Sequence, residues 1–297
     1  MFVSVIVPNF NHKRFLPQRL DSIFNQTFEN FEVILLDDCS TDGSWEYLQL
    51  FLKHPKVSFC LRNDKNSGSP FRQWVKGIES SKGDLIWIAE SDDFSDLVFL
   101  ETCVPYFDDH DVSLVVSSSV YVDGNSKKID GPMNTVFKGK FSGNEFVNSY
   151  MYFNNSILNA SSVVFRKSLV KSSTLIEITD FRLSGDYLFW IELIKGNSLI
   201  ALDCKLNFFR WHNTSVRFQE SNKLTGLLEG VRIKKKIEKN FQIDKSIQTI
   251  CKRKFYLDYF KFLKHNKHLK DWNEFIFVLH FFLPVDRFKA FVRFFIM

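Results

Sequence analysis

The sequence predicts an α/β protein whose sheet is mostly parallel and flanked by helices, followed by a helical C-terminal extension. Three observations lead there. Short β-branched or apolar runs without alternation, such as Val3–Val7 and Leu85–Ala89, read as strands covered on both faces. Amphipathic helical segments separate them, with connections too short for anything but right-handed crossovers. Acidic residues also cluster where strands end, the edge at which open α/β sheets bind ligands.

Taken in order, Val3–Val7 is a first strand closed by Pro8, and His12–Gln26 a helix carrying Leu16, Leu20, Ile23 and Phe24 on one face. Glu32–Leu36 is a second strand, and Trp45, Leu48, Phe51 and Leu52 mark a second helix. Val57–Leu61 is a third strand and Asn63–Pro70 a polar loop; Phe71, Trp74, Val75 and Ile78 space a third helix before Leu85–Ala89. Beyond, Leu97–Phe107 reads as a helix, Val112–Val122 and Ser161–Phe165 as strands, Asp186–Ile194 as a helix, and Leu199–Trp211 as a strand pair or one long strand. From Leu224 helical periodicity and Lys/Arg dominate. The expected division is therefore 1–220, a ligand-binding α/β domain, and 221–297, a basic, Phe-rich helical extension.

The 297 residues are 45% hydrophobic and 16% aromatic, enough for a globular core and incompatible with disorder. Five scattered cysteines without C-x-x-C spacing speak against a disulfide framework or a zinc site and fit a reducing compartment. The N-terminus does not read as a signal peptide, and no apolar run approaches the roughly 18–20 residues of a spanning helix. The net charge of +5 divides unevenly. Residues 221–297 carry 17 Lys/Arg against 7 Asp/Glu, leaving 22 against 27 in the first 220. A basic tail on an acidic body implies an anionic partner surface, lipid or nucleic acid. The lysines show no stacking or zinc pattern, which disfavours nucleic acid. Phe288, Phe291, Val292 and Phe295 fall on one helical stripe bordered by Arg287, Lys289 and Arg293. That stripe either lies on anionic lipid or packs on the α/β domain or across a dimer.

Pro8-Asn9-Phe10-Asn11 stands where a dinucleotide-binding domain carries G-x-G-x-x-G, and no P-loop or Gly-rich nucleotidyltransferase loop is present. Acids cluster instead: Asp37 and Asp38 after the second strand, Glu90, Asp92 and Asp93 after the fourth. Carboxylates so close repel one another, and a bound cation would reconcile them. Hard oxygen ligands suit Mg²⁺ or Mn²⁺ holding nucleotide phosphates.

The ordered set Ser4–Asn11, Gln26–Ile34, Asp37-Asp38-Cys39-Ser40-Thr41-Asp42-Gly43 and Glu90-Ser91-Asp92-Asp93 resembles the inverting family 2 glycosyltransferases of GT-A fold. Gly185-Asp186-Tyr187-Leu188-Phe189-Trp190 is similar to that family's catalytic-base segment, and Arg210-Trp211-His212 to its Arg-x-His element. The resemblance implies that Asp38 bonds the nucleotide base, that Pro8, Asn9 and Phe10 pack against it, and that Asp37 and Asn66 belong to the same pocket. Asp92 would then touch the ribose, Asp93 would hold Mn²⁺ or Mg²⁺ with His212 as a further ligand, and Asp186 would be the general base. Glu90 stands where the family commonly has Asp, and Gly185 precedes Asp186 where an acid is usual. Arg72 sits one position from the family's register after the Asn-x-Gly loop. The implied activity is metal-dependent single displacement from a nucleotide-diphosphate sugar, a UDP-sugar by preference, onto a glycan or lipid-linked hydroxyl. The expected setting is polysaccharide biosynthesis by a cytoplasmic enzyme held peripherally at the inner membrane face. The alternative is a sugar-nucleotide-binding scaffold without catalysis.

Overall fold

The computed structural model describes residues 1–131, 137–211 and 222–296. The N-terminal half alternates β1 (Val3–Asn9), α1 (Leu16–Phe24), β2 (Phe31–Asp37), α2 (Ser44–Gln49), β3 (Val57–Arg62), α3 (Pro70–Ser80) and β4 (Leu85–Ile88). All four strands pair in parallel, β1 lying between β2 and β4 and β2 between β1 and β3. β1, β2 and β4 are buried along their whole length, so their sequence is apolar without alternation. α1 begins four residues later than the periodicity predicts, because Pro17 has no N–H and is accommodated only in a helix's first turn.

The parallel order stops at β4, and the sheet as a whole is mixed. β5 (Phe94–Ser95), α4 (Phe99–Cys103), β6 (Val112–Val122), β7 (Gly139–Ser142) and α5 (Gly143–Phe146) lead to β8 (Val163–Arg166). The latter inserts antiparallel between β4 and β6. Then come α6 (Ser172–Ile178), α7 (Gly185–Ile194) and β9 (Ser198–Arg210). Leu199–Trp211 is thus one long strand, parallel to β6 and edged by β5 and β7. Among the described residues nine strands form a single sheet.

Two cores face the sheet. One, under α3 and α7, centres on Trp74, Phe165, Phe189 and Trp190, and the other, under α1 and α4, on Trp87, Phe99 and Phe107. Four helices follow: α8 (Asn222–Asn240), α9 (Lys245–His265), α10 (Trp272–Leu279) and α11 (Pro284–Ile296). Ile233 and Ile237 of α8 and Cys251 of α9 join the α3/α7 core, so the extension is fused to the body through its first two helices. A third cluster, with Phe260, Phe275 and Phe282, forms beyond them. The expected boundary at 220/221 lies outside the described residues.

Candidate active site

The first wall of the site comes from the ends of β1 and β2. Their register sets Asn9 beside Asp37. Asn9 Nδ2 donates to Asp37 Oδ1 at 2.8 Å and to Ser40 Oγ at 3.1 Å, while Ser40 N donates to Asp37 Oδ2 at 2.9 Å. Arg62 Nε stands 3.6 Å from the same oxygen. Asp37 is completely buried, and with Asn9 it fastens three strand ends together. Pro8 is buried behind it, whereas Phe10 is 43% exposed and presents its ring to solvent.

Asp38 organises the polar loop after β3. Its carboxylate accepts from Asn63 Nδ2 at 2.6 Å, Ser67 N at 2.9 Å, Ser67 Oγ at 2.7 Å and Gln73 Nε2 at 2.9 Å. Asn66, exposed at the tip, accepts from Gly68 N at 2.6 Å, the bond that closes the turn.

The acidic turn after β4 forms the floor. Asp93 is 2% exposed; its Oδ2 accepts from Asn159 Nδ2 and Ser161 Oγ, both at 2.8 Å, and its Oδ1 from Arg210 N at 2.8 Å. Glu90 accepts from Trp74 Nε1 at 2.8 Å, and Asp92 lies partly exposed between the two. Burial, and then repulsion from Asp92, raises Glu90 to about 8 and Asp93 to about 6. Two arginines compensate from below. Arg19, fully buried over the Trp87 ring, donates from Nε to Glu90 O at 2.9 Å; burial lowers it to about 10. Its Nη1 and Nη2 have no hydrogen-bond partner among the described residues, and its charge acts on the acids through space. Arg210 donates to Asp92 O at 2.6 Å, Asp123 O at 2.9 Å and Gln18 Oε1 at 2.8 Å, sandwiched near Phe15 and Phe94. It serves as a brace for the turn. His12 Nδ1 meets Ser91 Oγ at 2.8 Å, joining the β1 loop to this floor.

The third wall is the start of α7. Asp186 is 8% exposed; Tyr187 N donates to its Oδ1 at 2.8 Å and Asn155 Nδ2 to its Oδ2 at 3.0 Å. Gly185 has a physical reason: a Cβ there would stand 2.7 Å from the Phe71 ring of α3, so no acidic side chain fits before Asp186. Glu229 of α8 clamps the approach, accepting from Arg182 N at 2.7 Å, Leu183 N at 3.1 Å and Ser184 N at 2.8 Å.

The segment 155–161 ties floor to third wall. Asn155 bonds Asp186, whereas Asn159 and Ser161 bond Asp93. Sequence reasoning missed this segment and Glu229; the only signal was a run of polar residues, Asn154 to Ser156, inside apolar surroundings. His212 lies outside the described residues.

The donor set at the acidic turn suits a divalent cation. Asp92 and Asp93 offer hard oxygens, and the crowding that lifts Asp93 and Glu90 is the electrostatic state a cation relieves. Among the described residues Asp93 Oδ1 accepts a single hydrogen bond, which leaves a lone pair. The described residues contain no group of three or more His, Cys, Asp or Glu placed to hold a metal by themselves. Such an ion would therefore depend on oxygens of its ligand.

The parallel β1–β4 half, the acidic turn after β4 and the carboxylate at the start of α7 define a GT-A type of α/β protein, and structural comparison agrees. Staphylococcus aureus TarS residues 1–349 in complex with UDP superposes with a TM-score of 0.69 at 18% identity, covering 99% of this chain and 88% of that one. The Pyrobaculum calidifontis mannosyltransferase PcManGT, in complex with GDP-Man and Mn²⁺, gives a TM-score of 0.57 at 14% identity, covering 98% and 83%. The sequence profile described as "Glycosyl transferase family 2" matches residues 4–173, and the chain belongs to that family of glycosyltransferases. Among curated relatives, the poly(ribitol-phosphate) beta-N-acetylglucosaminyltransferase TarP of Staphylococcus aureus is 25% identical over 225 residues, 75% of this chain and 65% of TarP. An uncharacterized glycosyltransferase of Rickettsia bellii is 27% identical over 221 residues, 74% of this chain. The chain spans only 30% of that protein's length.

Proposed function

We propose that the chain is an inverting glycosyltransferase that moves a sugar from a nucleotide-diphosphate sugar, a UDP-sugar, to a hydroxyl of a glycan or lipid-linked acceptor. The observation that carries this is the bridging segment 155–161, which holds the acidic turn through Asp93 and the lone carboxylate through Asp186. The nucleotide base stacks on Phe10 above Pro8 and Asn9, beside Asn66, and Asp38 reaches it by giving up a bond to Ser67. Asp37 supports this wall from behind, and Asp92 faces the ribose. Asp92 and Asp93 would hold Mn²⁺ or Mg²⁺, which would neutralise the charge of the departing diphosphate. Asp186 takes the proton of the acceptor hydroxyl, whose pKa lies far above 7, as attack begins. Gly185 leaves this segment a single acid, so a double displacement through a carboxylate nucleophile has no second group there, and one displacement inverts the anomeric centre. UDP and UDP-GlcNAc complexes of TarS, together with the acceptor in TarP's name, favour a UDP-linked donor and a polymeric acceptor.

The test is a panel of nucleotide sugars incubated with the full chain and Mn²⁺, with release of the nucleoside diphosphate followed. A slow, metal-dependent release from one donor supports the transferase. Tight donor binding without any release, with or without added acceptors, would point to the scaffold instead.

One further feature supports attachment at the inner membrane face. Phe288, Phe291, Val292 and Phe295 on α11 are 77, 43, 40 and 62% exposed, with Lys289 and Arg293 beside them. Aromatic side chains flanked by basic ones suit an anionic lipid surface. The full chain is expected to sediment with anionic vesicles and to release in high salt, and a chain truncated before Asp271 to remain in solution. Equal behaviour of the two would remove the membrane reading.

A further inference from the structure

Beside Asp186 lies a second feature, a cavity of about 230 Å³ between the start of α7 and the α8–α9 pair. Asn154, Asn155, Ser184 and Tyr187 line it on the α7 side, and Lys234 and Lys254 on the other. Asn155 belongs to both places, since it lines the cavity and its amide donates to Asp186.

Lys234 is the unusual member. It is 7% exposed, and among the described residues no carboxylate or carbonyl pairs with its ammonium. Its neighbours on α8 are paired: Lys235 donates to Phe277 O at 3.0 Å, and Lys236 bonds Glu177 and Glu192. Burial lowers the Lys234 pKa, Cys251 partly opposes this and Lys254 adds to it. Helix α8 also presents glycines, Gly226 and Gly230, along this wall. A Cβ at Gly230 would stand 3.8 Å from Lys234 Nζ, so the missing side chain leaves the ammonium open to the cavity. Asp258, exposed on α9, is the one carboxylate in the lining.

A buried ammonium without a counter-charge is costly, and a site lined by amide, hydroxyl and ammonium donors complements an anion with several oxygens. We propose that this cavity binds an anionic group of the acceptor, a phosphate or a carboxylate, so that the attacking hydroxyl is carried to Asp186. The assignment rests on Asp186 as the general base. Lys234 is the principal contact, Lys254 guards the mouth, and Asn155 couples the occupied cavity to the carboxylate. The acceptor class is thereby narrowed to charged glycans or phosphate-containing polymers.

The experiment uses the full chain with UDP and Mn²⁺ already saturating, so that the diphosphate position is filled. Glycerol 1-phosphate, glucuronate and neutral glycerol are then titrated at constant ionic strength, by calorimetry and thermal shift. Wild type and Lys261→Met, an exposed lysine of α9, are expected to bind the anions saturably and to ignore glycerol. Lys234→Met, which keeps the buried stem, should weaken anion binding about tenfold or more. Gly230→Asp, which gives Lys234 an internal partner, should do the same if Lys234→Met does not fold. Stronger binding of glycerol phosphate assigns a phosphorylated acceptor, and stronger binding of glucuronate a uronate; either upholds the site. Anion binding that is absent, or unchanged in both variants, overturns it. Anion binding that persists where UDP itself fails to bind would leave the site standing and remove the donor reading.

Discussion

The turn after β4 and the start of α7 both place carboxylates at the end of an element, yet their surroundings differ. Around Asp93 three acids crowd together, burial and Asp92 push Glu90 and Asp93 up, and protein donors and two buried arginines brace the turn. At the start of α7 stands Asp186, whose carboxylate accepts from Tyr187 N and Asn155 Nδ2 among its contacts, and a cavity lined by Lys234 and Lys254 adjoins it. Under the proposed function the first arrangement would be completed by a cation, and the second would take a proton. The number of acids gathered at each place therefore distinguishes two sites that sequence position alone leaves similar.

Asp186→Asn attacks the second role only. The amide keeps the shape and cannot accept a proton, so turnover should fall about 10²–10⁴-fold with donor affinity unchanged. Single-turnover kinetics beside donor titration would measure both, and activity within a few-fold of the parent would move the base elsewhere.

Glu229→Gln tests whether the clamp on residues 182–184 sets that carboxylate. A neutral amide offers one acceptor where two oxygens served three N–H groups. We expect kcat to fall roughly tenfold with donor KM unchanged, since small misplacements of a catalytic group are expensive. A fall in thermal stability with full kcat would make the clamp purely structural.

Asp93→Asn attacks the first region. Its amide would turn an N–H toward the donors Asn159 and Ser161 or toward Arg210 N, so a loss of about 1–3 kcal/mol is expected in chemical denaturation with chelator present. Unchanged stability would contradict the bracing described here.

The smallest effect concerns Glu90. The folded protein holds that proton up to about pH 8, whereas an unperturbed glutamate releases it near 4.5. Because the raised pKa means that the fold binds the proton more tightly than the unfolded chain, metal-free stability is lost as pH rises through that window. Glu90→Gln keeps the acceptor for Trp74 and removes the titration. Its melting temperature in chelator should match wild type at pH 5 and exceed it by a few degrees at pH 8.5. A gap of equal size at both pH values would mean that packing, not charge, is responsible.

How far the sequence alone reaches differs between the same regions. β1, β2 and β4 were legible because strands buried on both faces leave continuous apolar runs, and the strand-end acids were legible with them. β5, β7 and α5 were not, being two to four residues long and stabilised by pairing with β9 or by packing, which no local pattern records. Asp37 and Asp38 were visible as acids, but the parallel register that buries the one and the loop that occupies the other were not. Asn155, Asn159, Glu229 and Lys234 lie 31 to 66 residues from the carboxylates or segments they serve, or on a separate helix across a cavity, so their importance exists only in three dimensions.

One calorimetric titration addresses the contrast most directly: UDP into wild type, Asp92→Asn and Asp186→Asn, each in Mn²⁺ and in chelator. The account predicts binding to wild type that requires Mn²⁺, its loss in Asp92→Asn, and full retention in Asp186→Asn. UDP binding that is indifferent to Mn²⁺, or that disappears with Asp186 and survives without Asp92, would contradict it.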